Sequence, residues 1–315
     1  MKKIYFLLMV LCIIGTTLYS QASQQLDVVK ELIAERMFDE AFFQVNQIIT
    51  EYPNTFESFE ARIILAELHF ERSRLQEARM QLMILLRNPF QLTVNQRVRL
   101  YFNLGMILYH EENFEQAIES FERLFLDYRD TAEAVSALPF YFDSFFKLND
   151  YQSVIIKTRQ MLGQFTGDEL QAELIYQQAR AYFTGNMLLQ ASRNIEDIKN
   201  RFSHTMAAWK SIELEVMIHA RERGRLSAIN MLENMLSEPL SRQIEERLAW
   251  LLVQYYLEDG QRDKAKELLS FILNKFNLSE SLSTYHLAWM KLMVEDRDIR
   301  HILDREDFID RKSVV

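Results

Sequence analysis

Six histidines are the residues of this sequence best suited to metal binding or to proton transfer at neutral pH. His110 precedes Glu111 and Glu112, but no second histidine lies three or four residues away, so the spacing of a zinc peptidase is absent. His69 and His219 fall where aromatic or apolar side chains recur, which predicts that both are partly buried core residues. A metal site would need ligands from separate parts of the chain, and we predict none.

Nucleophilic residues and pairs of acidic residues give no stronger evidence of a catalytic site. The sequence has no Gly-x-Ser-x-Gly motif, and its single cysteine, Cys12, lies in an apolar run near the N-terminus. Asp143 and Glu173 would resemble glycosidase carboxylates if they were held about 5–10 Å apart. A helical chain with 45 acidic residues forms many such pairs, however. We therefore predict no catalytic residue and no cofactor.

Turn-forming residues are scarce, with only 7 Gly and 4 Pro in 315 residues, where average usage would give about 22 and 16. Barrels, sandwiches, dinucleotide-binding folds and P-loops need glycine at tight turns or beside phosphates. With 49% hydrophobic and 26% charged residues, the chain still has the composition of a folded protein. The composition therefore predicts an all-α fold with short connections.

The N-terminal segment 1–22 has the organisation of a bacterial signal peptide. Lys2 and Lys3 form a basic start, an apolar run covers 4–14, and Ser-Gln-Ala at 20–22 supplies small residues for cleavage. The apolar run is shorter than the roughly 20 residues of a membrane span. We predict export to the periplasm or cell envelope, with an uncleaved N-terminal anchor as the alternative.

The charge balance is acidic, with 36 basic and 45 acidic residues and a formal net charge of −9. Loss of Lys2 and Lys3 with the signal peptide would leave a charge of −11. Duplex nucleic acid and anionic lipid surfaces both attract basic proteins. The sequence therefore predicts a protein or peptide partner, no nucleic acid, and membrane association only through a partner or an uncleaved N-terminal segment. It leaves the oligomeric state open.

A small residue recurs along the chain at intervals of 37 residues, with one interval of 39. The positions are Ala41, Ala78, Ala117, Val154, Ala191, Ala228 and Ala265. Residues four and seven positions later are apolar in nearly every copy, which is the spacing of one buried helix face. A second apolar pattern precedes each copy. Each copy is therefore predicted to be two antiparallel helices that approach closely at the small residue.

The segment YFNLGMILYHEENFEQAIESFERLFLDY at 101–128 resembles a tetratricopeptide repeat. The family pattern is matched by Tyr101, Leu104, Gly105, Phe114, Ala117, Phe121 and Leu124. The resemblance implies an all-α, right-handed superhelical solenoid of about seven helical hairpins plus a C-terminal capping helix. The period exceeds the usual family length of about 34 residues. Units this long resemble those of exported Gram-negative envelope proteins, including outer-membrane assembly proteins.

The repeat register predicts the boundaries within the chain. After the signal peptide at 1–22, the repeats cover 23–281, at about 23–58, 59–94, 95–133, 134–170, 171–207, 208–244 and 245–281. A capping helix is predicted at 282–304, followed by a tail at 305–315. The helix has Leu282, Tyr285, Trp289, Leu292 and Met293 along one face. Such a helix would cover the last apolar face of a solenoid.

The fourth repeat departs from the pattern. Phe142 and Val154 stand where the family places small residues, which predicts a wider helix crossing. Pro139 is predicted to kink the first helix of this repeat or to begin it.

The few glycines are expected at turns between the paired helices. Gly185, Gly224 and Gly260 fall there in the last three repeats, and Asn113 and Asn149 occupy comparable turns. Both residue types accept the left-handed backbone conformation that often ends a helix.

The resemblance also implies a binding surface, because the first helix of each repeat lines the concave face in this family. Carried over, the predicted partner-binding residues are Arg99, Phe102, Met106, Tyr109, Asp143, Phe146, Tyr176, Arg180, Phe183, Met217, Arg247, Trp250 and Gln254. Aromatic, Met and Arg side chains are enriched at binding hot spots. The alternative is that several of these rings fill the inside of a tightly wound superhelix.

These expectations describe a non-catalytic scaffold of the cell envelope that binds a peptide or partner protein in a concave groove. The alternative is a periplasmic accessory subunit of a transporter or cell-wall enzyme that binds a small ligand within the superhelix. An enzyme built on the same repeats would need a catalytic insertion, and the regular period leaves no room for one.

Overall fold

The structure is a computed structural model that describes residues 21–295. Most of the predicted signal peptide, the end of the predicted capping helix and the tail at 305–315 lie outside the described residues. The chain divides into two compact units, the first ending at Phe165 and the second beginning at Thr166. Within 21–295, no helix combines the length and the apolar character needed to span a membrane.

Unit 1 consists of helical hairpins. Residues 21–34 are helical and form α1. The helices that follow are α2 (Phe38–Glu51), α3 (Phe56–Glu71), α4 (Leu75–Leu86), α5 (Val94–His110), α6 (Phe114–Tyr128), α7 (Ala132–Lys147) and α8 (Tyr151–Leu162). A short 3-10 helix, Pro89–Gln91, joins α4 to α5 and accounts for the one interval of 39 residues. We call the first helix of each hairpin the A helix and the second the B helix.

Unit 2 continues the same alternation. Its helices are α9 (Asp168–Thr184), α10 (Leu188–Arg201), α11 (Met206–Arg223), α12 (Arg225–Ser237), α13 (Arg242–Glu258), α14 (Arg262–Lys275) and α15 (Leu282–Glu295). The residues at 21–295 contain no β-strand. The predicted all-α fold, a solenoid of helical repeats, is confirmed.

Threonine begins four of the A helices. The side chains of Thr55, Thr93, Thr131 and Thr205 each accept a hydrogen bond from the backbone N–H three residues later. At Thr55 and Thr93 the third residue, Ser58 or Gln96, bonds back to the cap and completes a capping box. Such a cap contributes about 1 kcal/mol to helix stability.

The turns between A and B helices place one residue in the left-handed conformation, usually two positions before the B helix. Gly224, Gly260 and Asn149 adopt positive φ as predicted, at 90°, 77° and 58°. The prediction was wrong by one residue elsewhere, because Asn186 rather than Gly185 and Glu112 rather than Asn113 has positive φ. The hydrogen bonds that close the turn therefore determine which residue has positive φ, and glycine or asparagine does not always occupy that position.

The recurring small residues lie in the cores of the two units. The six alanines and Val154 are fully buried. In the third hairpin, a Cβ built on Gly105 would lie 2.3 Å from the ring of Phe121, so these two helices meet more closely than alanine allows. The close approach predicted from the small residues is confirmed in this hairpin.

In the fourth hairpin the large residue lies on the A helix and the small residue on the B helix, the reverse of the third hairpin. Phe142 occupies the position of Gly105, and Thr158 occupies the position of Phe121, 37 residues later in each case. Both side chains are buried, and the backbones of α7 and α8 are in close contact over a shorter stretch than those of α5 and α6. The wider crossing predicted here is confirmed. Pro139 lies exposed inside α7, so it does not begin this helix.

The helix α15 covers the last hairpin of unit 2. Tyr285, Trp289, Leu292 and Met293 are buried in one cluster with residues of α12, α13 and α14. The Tyr285 hydroxyl donates a hydrogen bond of 2.9 Å to Glu246. Burial, together with this bond, raises the pKa of Tyr285 to about 12. The part of the predicted capping helix that is described packs as expected.

His69 is a core residue in unit 1. Its ring meets Phe42 edge-on, with 5.2 Å between the ring centroids. Its Nδ1 atom has no hydrogen-bond partner among the described residues. Burial lowers the pKa of His69; Glu77 opposes this effect, and Arg74 and Arg72 add to it. Burial therefore favours the neutral imidazole in the folded protein.

We predict a loss of stability in mild acid from His69. Because its pKa is lowered in the folded state, the unfolded chain binds the proton more readily near pH 6.5. The free energy of unfolding should fall as the pH drops below about 7, by at most about 1.4 kcal/mol per pH unit for one proton. Urea denaturation from pH 7.5 to 5 tests this. His69→Leu should flatten the curve, and an unchanged slope would refute the prediction; exposed His110→Leu is the control.

Candidate functional site

The A helices of each unit lie side by side, α3 with α5 and α5 with α7 in unit 1, and α9 with α11 and α11 with α13 in unit 2. We call the surface that these helices form in each unit the A-face. The predicted partner-binding residues all belong to these helices. Those in unit 1 are on α5 and α7, and those in unit 2 are on α9, α11 and α13.

In unit 1, Arg99 joins two A helices. Its guanidinium donates to both carboxylate oxygens of Glu67, at 2.7 and 2.8 Å, and also contacts Glu60. Asn103 donates to the same Glu67 at 2.8 Å. Burial disfavours the charged form of Arg99, but Glu67 and Glu60 outweigh it and raise the pKa of Arg99. Arg99 is therefore occupied by internal acids and positions α3 against α5.

Tyr109 and Asp143 link the next two A helices of unit 1. The Tyr109 hydroxyl donates to Oδ2 of Asp143 at 2.7 Å. The Tyr109 ring also meets Phe140 of α7 edge-on, at 5.3 Å between centroids. Phe102, Met106 and Phe146 are half-buried on the same helices. The structure thus brings the polar predicted residues into internal pairs and leaves part of the apolar ones exposed.

Unit 2 repeats this arrangement with different side chains. Glu173 of α9 pairs with Lys210 of α11 at 3.0 Å, and Glu213 of α11 pairs with Arg247 of α13 at 2.8 Å. The Lys210 ammonium also lies 5.8 Å from the centroid of the Tyr176 ring. Burial raises the pKa of Tyr176. Consecutive A helices within a unit are therefore joined by charged or hydroxyl pairs.

The remaining predicted residues of unit 2 differ in their exposure. Phe183 is buried beneath Arg221, whose guanidinium lies 3.8 Å from the ring centroid, so its ring is not presented to a partner. Trp250 is half-buried and packs against Tyr285 at 5.0 Å. Arg180 bonds to Gln177. Met217 and Gln254 are exposed.

Sequence reasoning missed several partners of the predicted residues. Glu60, Asn103 and Arg221 were not predicted to take part. A usable signal was present, because opposite charges recur on A helices at separations of 32 to 37 residues, as in Glu67 and Arg99 or Glu173 and Lys210. Pairs at nearly one repeat period meet on adjacent A helices. Within the described residues, no group of three His, Cys, Asp or Glu is arranged to hold a metal ion.

Comparison with known proteins agrees with this architecture. Residues 98–125, which cover most of α5 and α6, match the family model described as "Tetratricopeptide repeat". No curated protein matches the sequence. A crystal structure of a tetratricopeptide repeat protein from Parabacteroides merdae is 11% identical, covers 86% of this chain and 98% of its own, and has a TM-score of 0.60.

Two further solved structures are similar at lower scores. The C-terminal part of a TPR repeat-containing protein from Cytophaga hutchinsonii is 11% identical, with coverages of 85% of this chain and 94% of its own and a TM-score of 0.49. The protein pilF from Pseudomonas aeruginosa is 10% identical, with coverages of 73% and 97% and a TM-score of 0.47.

The chain contains a segment that matches a tetratricopeptide repeat, and it has the fold of solved tetratricopeptide-repeat proteins. The match at 98–125 identifies the repeat, and the likeness to the Parabacteroides protein shows the fold over most of the chain. Proteins built from these repeats are generally non-catalytic, and the fold suggests a scaffold for protein–protein interaction.

Proposed function

We propose that this protein is a non-catalytic scaffold of the bacterial cell envelope that binds a partner protein or peptide on its A-faces. The observation that carries the proposal is that polar and apolar residues have different roles on the A-face of unit 1. The polar residues Arg99, Tyr109 and Asp143 hold the helices in place, while Phe102 and Met106 present apolar surface between them. A surface that is already rigid loses little entropy when it binds.

The proposed envelope location is supported by the sequence of residues 1–22. It is tested separately from binding, by intact-mass measurement of the protein recovered from its native host. Cleavage after Ala22 would leave Ser23 as the first residue. Recovery of the uncleaved chain from the cytoplasm would contradict this part of the proposal.

The binding proposal is tested by removing the apolar anchors of unit 1. We expect Phe102→Ala combined with Met106→Ala to reduce recovery of cross-linked partners at least tenfold, because hot-spot truncations typically cost about 2 kcal/mol or more. Partners would be captured with the affinity-tagged protein in its native host and quantified by mass spectrometry.

The matched control removes the same two residue types from elsewhere in unit 1. Phe90 and Met80 are exposed, and neither lies on an A helix. The double variant Phe90→Ala, Met80→Ala should keep the same partners. Equal recovery by both double variants, with unchanged circular dichroism, would rule out the A-face of unit 1 as the binding surface.

A further inference from the structure

Unit 2 contains a groove between two B helices. It runs between α12 and α14 over α13 and encloses about 570 Å³. Ala249 and Leu252 of α13 form its floor, and Leu236, Leu268 and Phe271 line its sides. We call it the B-groove. Phe271 is 44% exposed, so the groove offers apolar surface to solvent.

The third repeat contains the equivalent groove, between α4 and α6 over α5, but it encloses only about 270 Å³. Repeat register explains the difference. Tyr101 occupies the position that Ala249 has in the seventh repeat, and Arg123 occupies the position of Phe271. The third groove is thus narrowed by a tyrosine and has an arginine where the B-groove has an exposed phenylalanine.

Ala249 is the exception among the repeats. The corresponding positions hold Gln25, Arg62, Tyr101, Leu138, Ile175 and Ile212. Each of these side chains is larger than alanine. The position of Phe271 is polar or charged in every other repeat except the second, where it is Ile84. The seventh repeat therefore has a smaller buried side chain at this position than the other repeats and adds an exposed aromatic at the groove.

The rim of the B-groove carries one carboxylate beyond its ion pairs. Three carboxylates, Glu233, Glu245 and Glu267, line it together with one ammonium group, Lys264. Glu233 receives hydrogen bonds from Tyr256 at 2.5 Å and from Lys264 at 3.1 Å, and Glu245 pairs with Lys275. Within 21–295, Glu267 forms no salt bridge. A cationic ligand would therefore find an available carboxylate next to the apolar floor.

We propose that the B-groove binds a cationic amphipathic peptide segment of a partner protein. One large apolar side chain of the segment enters over Ala249 and contacts Phe271, and a neighbouring Lys or Arg pairs with Glu267. The negative charge of Glu267 favours this partner over an acidic segment. The groove shares α13 with the A-face of unit 2 but uses other residues of that helix. Its test is therefore separate from the test of the proposed function, which changes residues of unit 1.

The variant Ala249→Tyr closes the groove with a side chain that the repeat already tolerates. In the third repeat, Tyr101 stacks on Tyr128 with 6.5 Å between ring centroids. Phe276 occupies the position of Tyr128 in the seventh repeat and is fully buried. A tyrosine at 249 therefore has an aromatic neighbour in register, and the variant should fold. Asn200→Tyr adds the same ring at an exposed position of α10 and is the control.

The probe is a phage-displayed library of random dodecapeptides, selected on the full-length protein. We expect the enriched peptides to combine large apolar residues with Lys or Arg. Fluorescence polarisation of the strongest peptide should show a Kd at least tenfold higher for Ala249→Tyr and unchanged for Asn200→Tyr. Glu267→Lys should raise Kd severalfold at low salt and less at 0.5 M salt, because the Debye length shortens to a few ångströms.

Several results would overturn the proposal. They are the absence of enriched peptides, enrichment of acidic peptides, or equal binding to wild type and folded Ala249→Tyr. A synthetic peptide of residues 296–315 that binds wild type but not Ala249→Tyr would assign the groove to the chain itself. Dimerisation in sedimentation velocity that Ala249→Tyr abolishes would assign it to a second copy. Each of these last two outcomes would also contradict the proposal that a segment of a partner protein occupies the groove.

Discussion

Phe142→Ala is expected to lower the free energy of unfolding by about 3–5 kcal/mol, the usual cost of deleting a fully buried phenylalanine ring. Phe142 is fully buried, and its ring lies 5.0 Å from that of Tyr141. The position opposite in the repeat register is Thr158, which is too small to fill the space that the ring would leave. The cavity would therefore persist, and relaxation would recover little of the lost energy.

Urea denaturation followed by far-ultraviolet circular dichroism measures this effect. The matched control is Phe90→Ala, because Phe90 is 89% exposed in the connection between α4 and α5. We expect it to change stability by less than about 0.5 kcal/mol. If Phe142→Ala cost no more than Phe90→Ala, the ring would not fill the wide crossing of α7 and α8.

Gly105→Ala is expected to destabilise the protein by about 1–3 kcal/mol through overpacking. The added Cβ would lie between 2.3 and 2.8 Å from three atoms of the Phe121 ring. That ring is fully buried, so it can move only by displacing its neighbours. The higher helix propensity of alanine offsets at most about 1 kcal/mol of this cost.

The control for Gly105 is another glycine without a close neighbour. Gly163 follows α8 with ordinary helical dihedral angles, and an added Cβ there would lie 4.0 Å from its nearest neighbour, the Gln160 carbonyl oxygen. Gly163→Ala should be neutral or slightly stabilising, because it restricts only the unfolded chain. Combining Gly105→Ala with Phe121→Leu should cost less than the sum of the single changes. Additive costs would show that the contact with Phe121 is not responsible.

The fold was predictable because its signals repeat. The period carried by Ala41, Ala78 and Ala117 locates the B helices, and helical periodicity on either side completes the hairpins. The exact residue that takes the left-handed conformation in each turn was harder to predict from the sequence. Glycine and asparagine composition placed the turns correctly, but Glu112 takes the left-handed position beside Asn113. Backbone hydrogen bonds choose that residue, and its side chain adds little to the choice.

The candidate site was predictable in position but less so in chemistry. The family pattern placed Arg99 and Tyr109 on the A helices, where they are found. That Arg99 is held by Glu67 and Glu60, or that Arg221 covers Phe183, depends on how adjacent A helices are offset. This offset arises from packing of the whole hairpin. The B-groove was not predictable from residue 249 alone, since an alanine there becomes informative only when the same position is compared across the repeats.

The third and fourth hairpins place their large and small residues on opposite helices. The third has Gly105 on its A helix and Phe121 on its B helix, whereas the fourth has Phe142 on its A helix and Thr158 on its B helix. This difference also affects how the chain folds. Repeats that resemble one another can pair helices wrongly while the chain is still collapsing. If α5 paired with α8, Gly105 would face Thr158 and leave a void. If α7 packed on α6 in the register that α5 uses, Phe142 would collide with Phe121. The void in one mispaired hairpin and the steric clash in the other both disfavour mispaired intermediates, so these residues favour the correct pairing of helices.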